Sequence, residues 1–296
     1  MLSRSTISTI LHLRIPFSFF LMPVYLFAVC ISPNVNGANV LWSFLTIHLL
    51  VYPASNGYNS YFDKDEKSIG GLKNPPPVKK GLYYTSIIFD VAAIVLALIF
   101  VSKEFALMLF IYGLASKAYS HPSVRLKKYP VAGWLTVVFF QGIFAFAMSY
   151  AGINKFPFDT LLHSRVLFPG LLTSLMLFAT YPMTQVYQHD EDSKRGDKTM
   201  SLKLGIKGTF FFAMGFFAVA AAGFVYYFIT TFSALYAVVF IITQSPVVIY
   251  FFFWFFAVWK NPEHADHKST MRLNFVSSLC LNGFFIYLFL HTWHMI

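Results

Sequence analysis

Long apolar runs separated by short polar segments repeat along the whole chain. We read nine such runs, at 15–32, 38–58, 81–101, 104–120, 131–150, 166–188, 208–230, 233–259 and 271–293. The length of each run is close to or above the length that an α-helix needs to cross a bilayer core of about 30 Å, which is about 20 residues. The pattern therefore predicts an all-α integral membrane protein that folds as a bundle of nine transmembrane helices.

The composition agrees with a lipid environment, because 57% of the residues are hydrophobic and 11% are charged, against about 25% charged in soluble domains. We expect residues 1–296 to form a single transmembrane domain. The first run follows Arg4 and Arg14, as in a signal peptide, but lacks a small-residue cleavage pattern, so we expect a retained helix. Cys30 and Cys280 lie inside predicted spans and indicate neither a disulfide framework nor a thiolate metal site.

The basic residues predict an orientation. With the N-terminus inside, nine spans leave only Lys103, Lys155 and Arg165 of the 22 Lys and Arg residues outside, and cytoplasmic loops are rich in these residues. The long polar segments fall on the same side, at 59–80, 120–130, 189–207 and 260–270. We therefore expect a working surface that faces the cytoplasm. A bacterial inner membrane is the default compartment, and a eukaryotic organelle membrane stays open.

A first acidic segment lies at the inner end of the second run, where residues 59–67 read NSYFDKDEK. Asn59 and Asp63 are four residues apart and share one face of a helix. A glycine pair and a run of prolines then end the helix and open a basic loop that carries Lys73. Carboxylates beside a lysine-rich loop are suited to a magnesium-bound diphosphate.

A second acidic segment follows the sixth run, where residues 188–205 read QHDEDSKRGDKTMSLKLG. Gln188 and Asp192 are again four residues apart. An even number of spans separates the two segments, so both emerge on the same side of the bilayer and can bind one ligand. Magnesium is held by one or two carboxylates together with substrate phosphates and water, and nearby cations such as Lys198 would offset the remaining phosphate charge.

The first segment resembles the first aspartate-rich motif of the UbiA-type intramembrane prenyltransferase superfamily, and residues 190–205 resemble the second. Tyr119-Ser120, followed by Arg125-Leu-Lys127, is similar to the tyrosine and basic stretch after the family's fourth helix. Three motifs in the family's order cover essentially the whole chain, whereas one alone would be weak. The resemblance implies a nine-helix bundle around a central cavity.

Members of that superfamily transfer a prenyl group from a prenyl diphosphate to an aromatic or other lipophilic acceptor, usually with Mg²⁺. The resemblance implies that magnesium and diphosphate are held by Asn59, Asp63, Gln188 and Asp192, and that the leaving group meets Tyr119, Arg125 and Lys127. Position and charge add Asp190 to the expected metal ligands, and Lys73 and Lys198 to the substrate-binding residues. We expect the catalytic residues to be Asp63, Asp192, Tyr119 and Lys127.

The motifs depart from the family's pattern, because Ser60, Lys67 and Gln188 stand where aspartates are common. A catalytically divergent UbiA homologue is therefore one alternative. A multispan transporter is another, since Asp90 is an ionisable residue within a predicted span and an internal repeat of four helices would fit a carrier. An alcohol phosphotransferase is disfavoured, because its glycine and arginine spacing between aspartates is missing. The acceptor could be a quinone precursor, a porphyrin, a tetrapyrrole alcohol or a lipid.

Overall fold

The computed structural model describes residues 3–295, and its regular elements are helices apart from one isolated β-bridge between Ile69 and Leu72. The first half contains α1 (Arg4–Leu13), a 3₁₀ turn (Ile15–Phe20), α2 (Met22–Cys30), α3 (Gly37–Phe44), a π-helical segment (Leu45–Val51), α4 (Tyr52–Asp63), α5 (Gly81–Phe100), α6 (Lys103–Ser120) and a 3₁₀ turn (Leu126–Lys128). The second half contains α7 (Pro130–Val138), a π-helical segment (Phe139–Phe144), α8 (Ala145–Asn154), α9 (Phe158–Leu161), α10 (Ser164–Met183), α11 (His189–Arg195), α12 (Met200–Thr231), α13 (Ala234–Lys260), a 3₁₀ turn (Pro262–His264) and α14 (His267–Thr292).

Within residues 3–295, seven helices are long and apolar enough to cross a membrane, or eight if the bent pair of α1 and α2 forms one span. The elements α3 to α4 and α7 to α8 each count as one continuous helix there. The prediction of nine spans is therefore not confirmed, and neither is the four-helix repeat. The run predicted at 104–120 does form α6, but this 18-residue helix carries three charged side chains, Lys103, Glu104 and Lys117, and is not among the seven. The all-helical, multi-pass character of the chain holds.

The first predicted run is bent rather than straight. Arg14 adopts a left-handed backbone conformation with φ of 47° and ends α1. Pro16 and Pro23 then stand in the first turns of the 3₁₀ turn and of α2, where proline fits because its missing N–H has no partner there. The segments Arg4–Phe20 and Met22–Cys30, which meet at Leu21, differ in direction by 43°. Arg14 lies before this bend and precedes the predicted run.

Aromatic side chains fill the core of the bundle. Phe27 of α2 is fully buried and stacks on Phe285 of α14 with ring centroids 4.8 Å apart, and it also contacts Phe146 and Phe224. Other large apolar side chains point outward, such as Phe253, which is 70% exposed. An outward apolar surface is expected where the solvent is lipid, and helices leave no backbone group unpaired there.

Three connections bring the polar helix ends together at one end of the bundle. Ser120 at the end of α6 donates a hydrogen bond to Asn59 Oδ1 near the end of α4 at 2.8 Å. The backbone N–H of Lys67 donates to Glu191 Oε1 of α11 at 3.2 Å. The backbone N–H of Lys198 donates to the carbonyl of Lys128 at 3.1 Å. The two acidic segments and the basic stretch after α6 therefore meet.

Candidate active site

A cavity of about 320 Å³ lies inside the bundle and reaches both acidic segments. Its polar wall includes Asn59, Asp63, Tyr119, Lys127, Gln188 and Asp192. Its apolar wall includes Phe20, Val24, Phe140, Phe224, Leu281 and Phe285. One space thus joins a charged end to an apolar interior, as a ligand with a charged head and an apolar chain would require.

Lys127 and the end of α4 form the first charged contact at the cavity. Its ammonium forms a salt bridge with Asp63 and donates a hydrogen bond to Asn59 Oδ1 at 3.1 Å. The side chains of Lys127 and Asp63 are only 7% and 5% exposed. Lys64 adopts a left-handed conformation immediately after Asp63 and ends α4 there. The helix end therefore presents Asn59 and Asp63 side by side to one buried ammonium.

Arg125 makes the second charged contact. Its Nε and Nη2 donate to the two carboxylate oxygens of Asp197 at 2.8 and 2.9 Å, and its Nη2 lies 3.6 Å from Asp63 Oδ1. The hydrogen bonds to Asp197 raise the pKa of Arg125. Gly196 ends α11 with φ of 74°, a left-handed conformation that favours glycine. This turn lets the Asp197 N–H donate to the Asp192 carbonyl at 2.9 Å and directs the Asp197 side chain to Arg125.

Arg195 connects the two acidic segments. Its guanidinium forms a salt bridge with Asp65 of the first segment, and its Nη2 lies 2.9 Å from Asp192 Oδ1 of the second. Thr199 donates a further hydrogen bond to Asp192 Oδ2 at 3.1 Å. Burial raises the pKa of Asp65 and of Asp192 to about 6 despite this partner. Both carboxylates are therefore protonated more readily than a carboxylate in water.

Two tyrosines close the cavity wall beside Lys127. The hydroxyl groups of Tyr119 and Tyr181 are hydrogen-bonded to each other, and Lys127 Nζ lies 6.0 Å from the centre of the Tyr119 ring. Both tyrosines line the cavity. The ring faces can interact favourably with a nearby cation, and the hydroxyl pair supplies a neutral hydrogen-bonding group.

Comparison with known proteins decides the family. The sequence profile of the UbiA prenyltransferase family matches residues 20–279. The chain belongs to the UbiA prenyltransferase family. No protein of curated function matches the sequence significantly.

Solved structures show the same fold. A UbiA homolog from Archaeoglobus fulgidus bound to GPP and Mg²⁺ superposes with a TM-score of 0.62 at 17% identity, covering 95% of this chain and 99% of that chain. The structure of that homolog bound to DMAPP and Mg²⁺ gives a TM-score of 0.62 at 18% identity over the same shares. A structure from work on digeranylgeranylglyceryl phosphate synthase gives 0.61 at 19% identity, covering 97% of this chain and 99% of that one.

Three predicted site residues of this UbiA-family chain lie away from the cavity. Asp190 is 78% exposed and pairs with Lys67 at 3.3 Å. It precedes Asp192 by two residues, which turns its side chain about 200° around the helix. Lys73 and Lys198 are exposed on loops. The structure brings the other predicted residues together, with Arg125 behind Asp63 rather than in the cavity wall.

Sequence reasoning missed several residues that the UbiA fold places at the site. Arg14 lines the cavity and donates to the carbonyl of Gly70 at 3.1 Å and to that of Asn56 at 3.3 Å. Arg14 entered the sequence analysis only as a charge before the first span. Tyr181 was not selected either, and Arg195 was considered only as one of several cations that would offset phosphate charge. Arg14 stands directly before an apolar run in a chain with anion-binding motifs. That position was the signal that could have marked it as a site residue.

The residues at the site fit a magnesium ion. Five carboxylates converge near three cations there, namely Asp63, Asp65, Glu191, Asp192 and Asp197 with Arg125, Lys127 and Arg195. Oxygen atoms are the ligands that magnesium prefers, and it keeps several waters and substrate phosphates. In residues 3–295, no three His, Cys, Asp or Glu side chains are positioned to hold a metal by themselves. The protein therefore supplies part of a coordination shell.

Proposed function

We propose that this protein transfers a prenyl group from a prenyl diphosphate to an aromatic or other lipophilic acceptor within the membrane and releases diphosphate. The observation that carries the proposal is a cavity of about 320 Å³ that joins an ionic end to an apolar interior. A prenyl diphosphate has the same division, with a charged head and a hydrocarbon chain. Relatives with this fold were solved with GPP and with DMAPP together with Mg²⁺, which supports this donor class.

The ionic end would bind the diphosphate. Lys127 is buried beside Asn59 and Asp63, and Arg125 stands behind them at 3.6 Å from Asp63. Ammonium and guanidinium groups bind phosphate oxygens through charge-assisted hydrogen bonds. Asn59, Asp63 and Asp192 are the residues we propose to hold magnesium, with Gln188 as a neutral neighbour in the cavity wall. When bound, magnesium supplies positive charge that stabilises the diphosphate.

In the reaction, the bond between the allylic carbon and the diphosphate oxygen breaks, and the electron pair leaves with the diphosphate. Lys127 stabilises the charge that builds on this leaving group, which is the electrostatic mode of catalysis, and Arg125 adds positive charge from behind Asp63. An electron-rich atom of the acceptor then forms the new bond to the carbon and loses a proton. The Tyr119 ring lies beside Lys127, where an aromatic face stabilises an adjacent cation by about 0.5–2 kcal/mol.

The apolar wall serves the prenyl chain in two ways. Burial of each methylene contributes about 0.8 kcal/mol to binding. The same wall, which includes Phe140 and Phe224, keeps water away from the reactive carbon, so that the acceptor rather than water captures it. The chain of the donor and the reacting acceptor atom therefore lie in the apolar part of the cavity.

The structure offers little support for transport. Asp90, the intramembrane acid that would favour a carrier, forms a salt bridge with Lys117 of α6. Its side chain is 14% exposed and does not belong to the cavity wall. A paired acid of this kind joins α5 to α6. It does not mark a substrate path through the described part of the chain.

Diphosphate release tests the proposal. The purified protein in nanodiscs receives prenyl diphosphates of several chain lengths and a pooled set of aromatic and lipid acceptors, with Mg²⁺ or with EDTA. We expect magnesium-dependent release that falls at least 100-fold in Asp63→Asn and in Asp192→Asn. Asp159→Asn, on the exposed α9, is the matched control and should keep full activity. Absence of release with every donor would favour a catalytically divergent homologue.

A further inference from the structure

We propose that Arg195 is a built-in cation that holds the two acidic segments together, so that the metal-free protein already has an assembled site. Magnesium then enters with the diphosphate and is not needed to bring the segments together. Arg195 acts here as a positioning residue, since its contacts are with protein carboxylates. The part of this inference that concerns diphosphate rests on the proposed function, whereas assembly of the site does not.

The contacts of Arg195 reach both segments at once. Nη1 forms a salt bridge with Asp65 of the first segment and lies 3.7 Å from Glu191 of the second. Nη2 lies 2.9 Å from Asp192 Oδ1, and Nε lies 3.5 Å from Asp197 Oδ2. One guanidinium therefore faces four carboxylates. Three of them belong to the second segment, and the fourth, Asp65, is 130 residues away in sequence from Arg195.

The cluster is buried enough for this charge to matter. The side chain of Arg195 is 20% exposed, and those of Asp65, Asp192 and Asp197 are 7%, 7% and 2% exposed. Carboxylates that are removed from water repel each other more strongly than in solution. Without a cation between them, the loop that carries Asp65 and the start of α11 would move apart. A guanidinium fits this role because its planar fork can bind two carboxylates simultaneously.

Other cross-connections are weaker substitutes. Lys67 pairs with Asp190, but both side chains are exposed, at 57% and 78%, and exposed ion pairs contribute little. Arg125 links Asp63 to Asp197, yet it does not contact Asp65 or Asp192. Arg195 is therefore the cation that determines whether Asp65 and Asp192 face each other.

Thermal unfolding in detergent tests this role without turnover. We compare the full-length wild type, Arg195→Gln and Lys194→Gln, each in EDTA and in 10 mM MgCl₂ without substrate. Lys194 is the matched control, because it lies on the same helix, is exposed and forms no salt bridge within residues 3–295. In EDTA, we expect Arg195→Gln to unfold about 6 °C or more below the wild type. Magnesium should recover at least half of that loss in Arg195→Gln and shift the two other proteins by less than about 2 °C.

Two results would overturn the proposal. One is an Arg195→Gln protein whose unfolding temperature responds to magnesium no more than that of Lys194→Gln. The other is a wild type that magnesium alone stabilises as strongly as the variant, because the site would then need the metal for assembly.

Hydrogen exchange of the wild type covers the case in which Arg195→Gln does not fold. We expect equal protection of the Lys67 amide in EDTA and in MgCl₂, since it belongs to the first segment and donates to Glu191 of the second. Loss of protection in EDTA alone would contradict the proposal. Neither measurement requires diphosphate release, so a failure of this inference is distinguishable from a failure of the proposed function.

Discussion

Replacement of Lys127 by methionine is the sharpest test of how the site works. Methionine keeps the apolar stem of the side chain and removes the ammonium that pairs with Asp63 and bonds to Asn59. Two effects are expected, one on stability and one on turnover. They can be measured separately, because the first concerns the protein alone and the second requires the donor.

The stability effect follows from the burial of the pair. Removal of one partner of a buried ion pair costs about 3–5 kcal/mol, because the other charge is left without compensation. Asp63 keeps Arg125 at 3.6 Å, so we expect a value near the lower end, about 3 kcal/mol. The double variant with Asp63→Asn also removes the remaining charge, and it should recover much of that loss.

The kinetic effect follows from the charge on the leaving diphosphate. Loss of one preorganised donor to a developing anion lowers kcat by about 10²–10³. Diphosphate release at saturating donor and Mg²⁺ gives kcat, and its donor dependence gives KM. Lys128→Met, one residue away and exposed, is the control and should stay within about threefold of wild type. A Lys127→Met protein that keeps kcat and raises only KM would refute the role in the transition state.

Three further predictions concern stability. Because burial raises the pKa of Asp65 and Asp192 to about 6, the metal-free protein should lose stability as pH rises from about 4 through 6, and Asp192→Asn should flatten this dependence in thermal unfolding. Lys117→Met leaves Asp90 unpaired in the bundle and should destabilise it by about 3 kcal/mol, with recovery when Asp90→Asn is added; equal stability of both variants would contradict this. Gly196→Ala meets no atom within 4 Å, but φ is 74°, so denaturant unfolding should show a loss of about 1 kcal/mol from backbone strain alone.

The sequence was sufficient to predict the kind of fold, because apolar runs of membrane-spanning length have few other structural solutions. It did not predict how each run is built. The first run is bent at Leu21, where the 3₁₀ turn Ile15–Phe20 meets α2, although its apolar composition alone predicts one straight helix. The three charged side chains of α6 reduce the span count, although a helix forms there.

For the candidate site, spacing predicted which residues could share a face but not which face turns inward. The helical spacing of Asn59 and Asp63 predicted that they lie together, and in the structure both contact the ammonium of Lys127. Asp190 was selected for its charge, yet it lies on the exposed side of α11. Arg195 was considered only as a cation near the phosphate, because its contact with Asp65 joins residues so far apart in sequence that no local pattern predicts it.

Formation of a bond between a prenyl group and an acceptor is the step that defines the proposed activity of this chain. The most direct measurement is mass spectrometry of lipid-extracted products after incubation of the protein in nanodiscs with a deuterium-labelled prenyl diphosphate, Mg²⁺ and the acceptor pool. We expect an acceptor whose mass has increased by the labelled prenyl group less one hydrogen, and we expect its formation to be lost in Asp63→Asn. Labelled prenol as the sole product, or unchanged donor, would contradict it.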